Sequence, residues 1–121
     1  MKGTDQFAKL LGITLLDVKD GYAKVTMQLT KDHMNALNMT NGGVIFSFAD
    51  YAFAEASNFG DNIAVAVQAN INFIRPTFEG DILIAEATRI SGGKTFGLYN
   101  INICKEDKLI ATFSGMVYRK Q

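Results

Sequence analysis

The sequence predicts an α+β fold in which a curved antiparallel β-sheet wraps around one long, central, hydrophobic α-helix. Two observations lead there. Residues 44–56 are apolar on almost every helical face, broken by the charges of Asp50 and Glu55, and a helix that is apolar all round has to be buried. From about residue 63 onward, apolar and polar residues alternate between turn signals, the pattern of antiparallel strands with one buried face. Such a helix cannot lie on a sheet with one side in water, so the sheet must wrap it.

Thr4 can cap a short opening helix in which Phe7, Leu10 and Leu11 share a face and which Gly12 ends. Strands follow over residues 13–19 and 22–29. Between them, Asp20-Gly21 is a two-residue hairpin signal, because glycine accepts positive φ without steric cost. Residues 30–41 read as a polar loop carrying Asn35, Asn38 and Asn41. The apolar helix is entered through Gly42-Gly43 and closed by Asn58 and Gly60. Four strands complete the chain, at residues 63–74, 82–91, 95–105 and 109–119. Pro76 with Gly80-Asp81, then Gly92-Gly93, then Glu106-Asp107-Lys108 separate them. The order is helix, hairpin, long helix and a four-stranded meander, with Ile71, Phe73, Ile101 and Ile103 on its buried face.

At 121 residues, 48% of them hydrophobic, the chain can bury one core, so residues 1–121 are expected to form a single domain. Its 12 basic and 12 acidic residues cancel, and no run of Lys or Arg makes the stripe that nucleic acid or an anionic membrane needs. Neither is expected as a partner. Residues 44–56 also fall short of the roughly 20 apolar residues that span a bilayer. The amino terminus lacks the apolar stretch of a secretory signal, and the lone Cys104 cannot form an intrachain disulfide. A reducing, cytoplasmic setting is the expectation.

Asp50 poses the functional question. Burying an ionised carboxylate without a partner costs several kcal/mol or shifts its pKa, so it is either paired, with a backbone N–H or an Arg such as Arg75, or put to use. Several chemistries fall away. His33 is the only histidine, so Ser-His-Asp, Cys-His and multi-histidine metal sites cannot be assembled within one chain. Ser47 lacks the glycines of a nucleophile elbow. Gly93-Lys94-Thr95 ends like a P-loop, but the required first glycine falls on Thr88, and the segment reads as a hairpin turn.

Residues 35–50 run Asn-Ala-Leu-Asn-Met-Thr-Asn-Gly-Gly-Val-Ile-Phe-Ser-Phe-Ala-Asp. The stretch resembles the pattern N-x-x-G-x-x-H-G-G, followed by an apolar helix with an acidic residue eight positions after the first Gly of the pair, of PaaI-like acyl-CoA thioesterases. Phe73-Ile74-Arg75-Pro76, Gly80-Asp81 and Gly93-Lys94-Thr95 are similar to that family's F-L-R-P, G-D and G-K segments. The family has the hotdog fold, a sheet wrapped around a central helix. Two positions depart from its pattern: Asn38 replaces the usual Gly and Asn41 the usual His. Asparagine tolerates left-handed backbone and is among the best N-caps, so Asn38 can turn the loop and Asn41 can cap the helix.

The resemblance implies an acyl-CoA thioesterase that needs no cofactor and no metal. Asp50 would act as general base or nucleophile, Gly42 would donate the N–H that polarises the thioester, and Asn35 would orient the carbonyl or the attacking water. Gly43 and Asn41 would belong to the substrate-binding surface. The chemistry suits these residues, because thioester hydrolysis needs donors at the developing oxyanion and a base or nucleophile at the carbonyl carbon. Gly42 and Gly43 would leave unobstructed N–H groups at the positive end of the helix dipole, although paired glycines also permit close packing. Arg75, Arg89 and Lys94 could meet CoA phosphates or be ordinary surface charges. Phe46, Phe48, Tyr51 and Phe53 make an aryl or medium acyl group plausible, and core packing explains them equally well. Glu55 lies about 140° round the helix from Asp50 and reads as structural or interfacial.

Helix geometry adds a constraint. Eight residues rise about 12 Å, far beyond the roughly 3 Å reach each group needs to one reacting centre. Gly42 and Asp50 serving one thioester should therefore come from different subunits of a two-fold homodimer. The resemblance implies the same, with dimers often paired into homotetramers. Two alternatives stay open: a non-catalytic acyl-CoA-binding hotdog protein serving as ligand sensor or assembly module, and a hotdog hydratase, which generally relies on a catalytic histidine.

Overall fold

A computed structural model describes residues 3–120. Its first hairpin forms where Asp20-Gly21 predicts it. β1 (Thr14–Lys19) and β2 (Tyr22–Gln28) pair antiparallel with Lys19 opposite Tyr22, and Gly21 takes the positive φ of 78° that the turn requires. The long helix α2 (Gly42–Ser57) is followed by β3 (Ala64–Phe73), β4 (Ile82–Gly92), β5 (Phe96–Lys105) and β6 (Lys108–Arg119). One antiparallel sheet has the order β1-β2-β4-β5-β6-β3, and α2 packs into its concave face. This is the predicted hotdog arrangement.

The four-stranded meander needs correcting. Only β4, β5 and β6 are consecutive neighbours; β3 lies at the far edge, paired with β6. Residues 74–81, which hold Pro76, are too long for a tight hairpin. The N–H groups of Ile74 and Arg75 both donate to the Ile110 carbonyl, the Thr77 carbonyl accepts from Thr40, and Gly80 donates to Leu29. The link thus runs from the start of β6 past the loop before α2 to the end of β2, where β4 begins. Its position at the edge also exposes β3: Phe73 is 57% exposed, whereas Ile101 and Ile103 are fully buried as predicted.

The core forms where α2 meets the sheet. Phe48 and Phe53 are buried on α2, each worth about 1.5–3 kcal/mol of apolar burial. Phe53 sits between Tyr99 and Phe113, with ring centroids 5.6 and 5.7 Å away. Gly115 makes room for it, since a Cβ there would stand 2.7 Å from the Phe53 ring.

The opening helix, α1 (Gln6–Leu11), is capped by Asp5 rather than Thr4. The Asp5 Oδ1 accepts the Ala8 N–H at 3.0 Å. Gly12 ends the helix in the left-handed conformation, as expected. Ala8 is the residue this helix buries and Leu11 packs partly against the core, whereas Phe7 and Leu10 are exposed, so only part of the expected apolar face turns inward. Among the described residues, no helix is long and apolar enough to cross a membrane.

Candidate active site

The start of α2 is built by its N-cap. Asn41, extended at φ −61° and ψ 132°, accepts the Gly43 N–H on Oδ1 at 2.7 Å, and its carbonyl accepts the Val44 N–H at 3.0 Å. Gly43 therefore does not offer the unobstructed N–H expected of it, because its own cap consumes that donor. Its lack of a side chain serves the cap, since a Cβ would stand 2.9 Å from Asn41 Oδ1. The Gly42 N–H has no acceptor among the described residues. That donor remains at the positive end of the helix.

The preceding loop is rigidified by Asn35. Its Oδ1 accepts the N–H groups of Leu37 at 2.8 Å and Met39 at 3.2 Å, and its backbone bonds to both Met39 and Asn38. Asn38 closes this turn at φ 61°, the left-handed conformation expected of it. With the carboxamide oxygen committed, the Asn35 Nδ2 is the end left to donate. Asn35 and Gly42 line one cavity of about 300 Å³, walled by Ile45, Phe73, Arg75 and Ile110, and no carboxylate lines it. The Phe73 ring lies over Gly42, its Cζ 3.3 Å from where a Cβ would sit.

Asp50 is elsewhere. It lines a second cavity, of about 170 Å³, between α1 and α2, together with Ser47, Tyr51, Ala8, Ile13 and Asp5. The expectation of a buried carboxylate is corrected for the single chain: beyond Gly42 and Gly43, Asp50 is the one exposed residue of α2. The helix turns this position away from the sheet. No hydrogen bond or ion pair reaches the carboxylate among the described residues, and Arg75 lines the other cavity. Although Asp50 meets solvent, partial desolvation by its surroundings raises its pKa above the ordinary value, and the nearby charge of Asp5 adds to the shift.

Other candidates are occupied. The His33 Nδ1 accepts the Thr30 N–H at 2.9 Å, so Nε2 carries the proton and donates to the Leu11 carbonyl at 3.0 Å. Both ring nitrogens hold the fold, leaving none for hydratase chemistry. The Ser47 hydroxyl donates to the Gly43 carbonyl at 2.8 Å. Arg89 pairs with Asp20 at 3.2 Å. Glu55 is 5% exposed and lies one turn after Tyr51; burial first, then the neighbouring Glu55 carboxylate, raises the Tyr51 pKa. Of the four helix aromatics, Phe48 and Phe53 are core, whereas Phe46 and Tyr51 line the cavity at Asp50.

The sequence profile of the thioesterase superfamily matches residues 37–112, from the loop before α2 into β6. The chain belongs to the thioesterase superfamily. It is 41% identical over 120 residues to the acyl-coenzyme A thioesterase PaaI of Escherichia coli strain K12, an overlap of 98% of this chain and 86% of that one. The structure of the E. coli PaaI protein from the phenylacetic acid degradation operon superposes with a TM-score of 0.93, covering 97% of this chain and 86% of that one at 41% identity. The crystal structure of the TT0310 protein from Thermus thermophilus does so with a TM-score of 0.94, covering 98% and 100% at 32% identity.

In this thioesterase-superfamily chain, the motif spacing singled out Asn35, Gly42 and Asp50 but not the walls around them. Phe73 and Ile110 reach Gly42 from β3 and β6, and Asp5, Ala8 and Ile13 reach Asp50 from the amino-terminal segment. The Phe73-Ile74-Arg75-Pro76 match was the one available signal for the first group. Nothing local marked the second.

Proposed function

We propose that this chain is an acyl-CoA thioesterase, one domain over residues 1–121, that works as a homodimer. Each site joins Gly42 and Asn35 of one subunit to Asp50 of the other. The supporting observation is the division of these residues between two cavities of a single chain, in agreement with the rise of about 12 Å across eight helical residues.

The Gly42 N–H and the Asn35 Nδ2 donate to the thioester oxygen, where negative charge develops. Asn41 and Gly43 frame the helix start against which the thioester lies. Asp50 takes a proton from water as the water oxygen attacks the carbonyl carbon, or attacks that carbon itself. In the first case the C–S bond then breaks and the proton held by Asp50 passes to the sulfur, releasing the carboxylic acid and the CoA thiol. In the second the C–S bond breaks to leave an acyl–Asp50 anhydride, and water then hydrolyses the anhydride, releasing the acid, restoring the Asp50 carboxylate and supplying the proton of the CoA thiol. A raised pKa makes the Asp50 carboxylate a stronger base than an ordinary aspartate.

The edge strand β3 supplies the means of dimerisation. Among the described residues, no strand neighbours one side of its backbone, and Val65 and Val67 are 45% and 54% exposed. Such an edge is a template for pairing, and a two-fold axis pairs two copies antiparallel. β3 ends at Phe73, whose ring covers Gly42, so a partner on this edge comes up to the oxyanion donors. Dimers pairing into a homotetramer, and a cytoplasmic setting for the lone thiol of Cys104, complete the reading.

Release of free thiol from a panel of acyl-CoAs tests the proposal, with the unsubstituted chain compared to Asp50→Ala. Hydrolysis that collapses in the variant is expected. No turnover at any acyl length, or turnover indifferent to the substitution, would contradict it and favour a non-catalytic acyl-CoA-binding role.

A further inference from the structure

The cavity beside Asp50 adjoins a larger one, of about 680 Å³, and Asp5, Ala8, Ile13 and Tyr51 line both. Taken together, the two adjacent cavities form a cleft whose lining runs from Asp50 along α2 to Glu55 and Phe59. One wall is α1. That helix has six residues and buries only Ala8, yet it is fixed at both ends. Asp5 caps it, and the His33 Nε2–H donates to the Leu11 carbonyl at its last turn.

Charge distinguishes this cleft from the cavity at Gly42. Among the described residues, three carboxylates, Asp5, Asp50 and Glu55, stand along it against one cation, Lys9. The cavity at Gly42 has Arg75 and no carboxylate. A thioester of coenzyme A is itself asymmetric, with several phosphates on one arm and a largely apolar acyl group on the other. A field of negative sign repels the phosphate-bearing arm and finds no net charge to repel in the acyl group.

We infer that the cleft between α1 and α2 receives the acyl group, from the subunit that supplies Asp50, and that the CoA arm leaves past Arg75 of the subunit that supplies Gly42. This deepens the thioesterase reading and rests on it. Ile13, at the junction of the two cavities, and Phe59, near the far end, become acyl-specificity residues. Ala8 and Tyr51 form the sides of the passage between them.

Binding of non-hydrolysable thioethers tests the assignment without relying on turnover. Calorimetry would compare S-ethyl-CoA with S-octyl-CoA. The unsubstituted chain is expected to hold the octyl compound at least about tenfold more tightly, because each buried methylene adds affinity. Ile13→Phe, which narrows the passage, should abolish that preference, with S-octyl-CoA losing more affinity than S-ethyl-CoA. Phe59→Ala, at an exposed position that cannot unfold the core, should reduce it about threefold. Ile74→Phe, in the other cavity, should shift both affinities alike. A chain-length preference that survives both Ile13→Phe and Phe59→Ala, or one lost in Ile74→Phe, would overturn the inference. Failure to bind either thioether would overturn the acyl-CoA reading with it. Graded binding that responds to Ile13→Phe without any thiol release would support the cleft and contradict hydrolysis alone.

Discussion

The Asn41 carboxamide oxygen accepts the N–H of Gly43 at 2.7 Å, which leaves the Gly42 N–H, at the head of α2, without an acceptor among the described residues. Two glycines in sequence thus have different physical roles. Gly43 keeps the cap open by lacking a side chain, and Gly42 presents its N–H to the cavity shared with Asn35. Asn41→Ala should lower stability by about 1 kcal/mol through loss of the cap. Gly43→Ala should do similar damage by crowding the same oxygen. Thermal melts would check both.

Asp50 is predicted to cost stability at neutral pH. Its folded pKa lies above the unfolded value, so between the two the native state holds more protons and stability falls as pH rises. Below the ordinary value of 3.8 both states are protonated and the cost is absent. Asp50→Asn should therefore melt higher than the unsubstituted chain at neutral pH, with the gain vanishing on the acid side. If Asp50 acts as the proposed base, the acid limb of kcat/KM should lie above that of an ordinary aspartate, because a base works in its ionised form.

His33 should prove structural. His33→Ala leaves the Thr30 N–H and the Leu11 carbonyl without partners, and a loss of about 1–3 kcal/mol is expected from such unsatisfied groups. Hydrogen exchange should show faster opening across residues 6–11, because the anchor of α1 is gone.

A charge on the open edge should block dimerisation. Val67→Lys places an ammonium group on exposed β3, a device that prevents edge pairing. Sedimentation velocity should then report a monomer, and thiol release should fall with the dimer, because neither cavity alone holds both Gly42 and Asp50.

Local chemistry made much of this legible in the sequence. Asp20-Gly21 fixed a hairpin, the unbroken apolar face of residues 44–56 announced the central helix, and asparagine at 38 and 41 foretold a left-handed turn and a cap. Long-range relations were not legible. The alternation of Ile71 and Phe73 says that a strand forms but not that it lies at an edge, which depends on where residues 74–81 carry the chain. For the same reason Asp50 looked buried. Hydrophobic neighbours in sequence do not reveal that one position of an apolar helix points away from the sheet.

Mixed dimers test the shared site most directly. Gly42 is the first residue of α2, where proline is well tolerated, and Asn41 before it already has the extended conformation that proline favours. Gly42→Pro thus deletes the N–H at a position where the helix tolerates proline, and a Cβ there meets the Phe73 ring at 3.3 Å. Each of Gly42→Pro and Asp50→Ala should be inactive alone. After unfolding and refolding together in equal amounts, half the dimers are mixed and each mixed dimer has one intact site of two. Thiol release of about a quarter of the unsubstituted level is then expected. No recovery in mixtures shown to contain mixed dimers would mean that Gly42 and Asp50 act within one chain, or not on the same thioester.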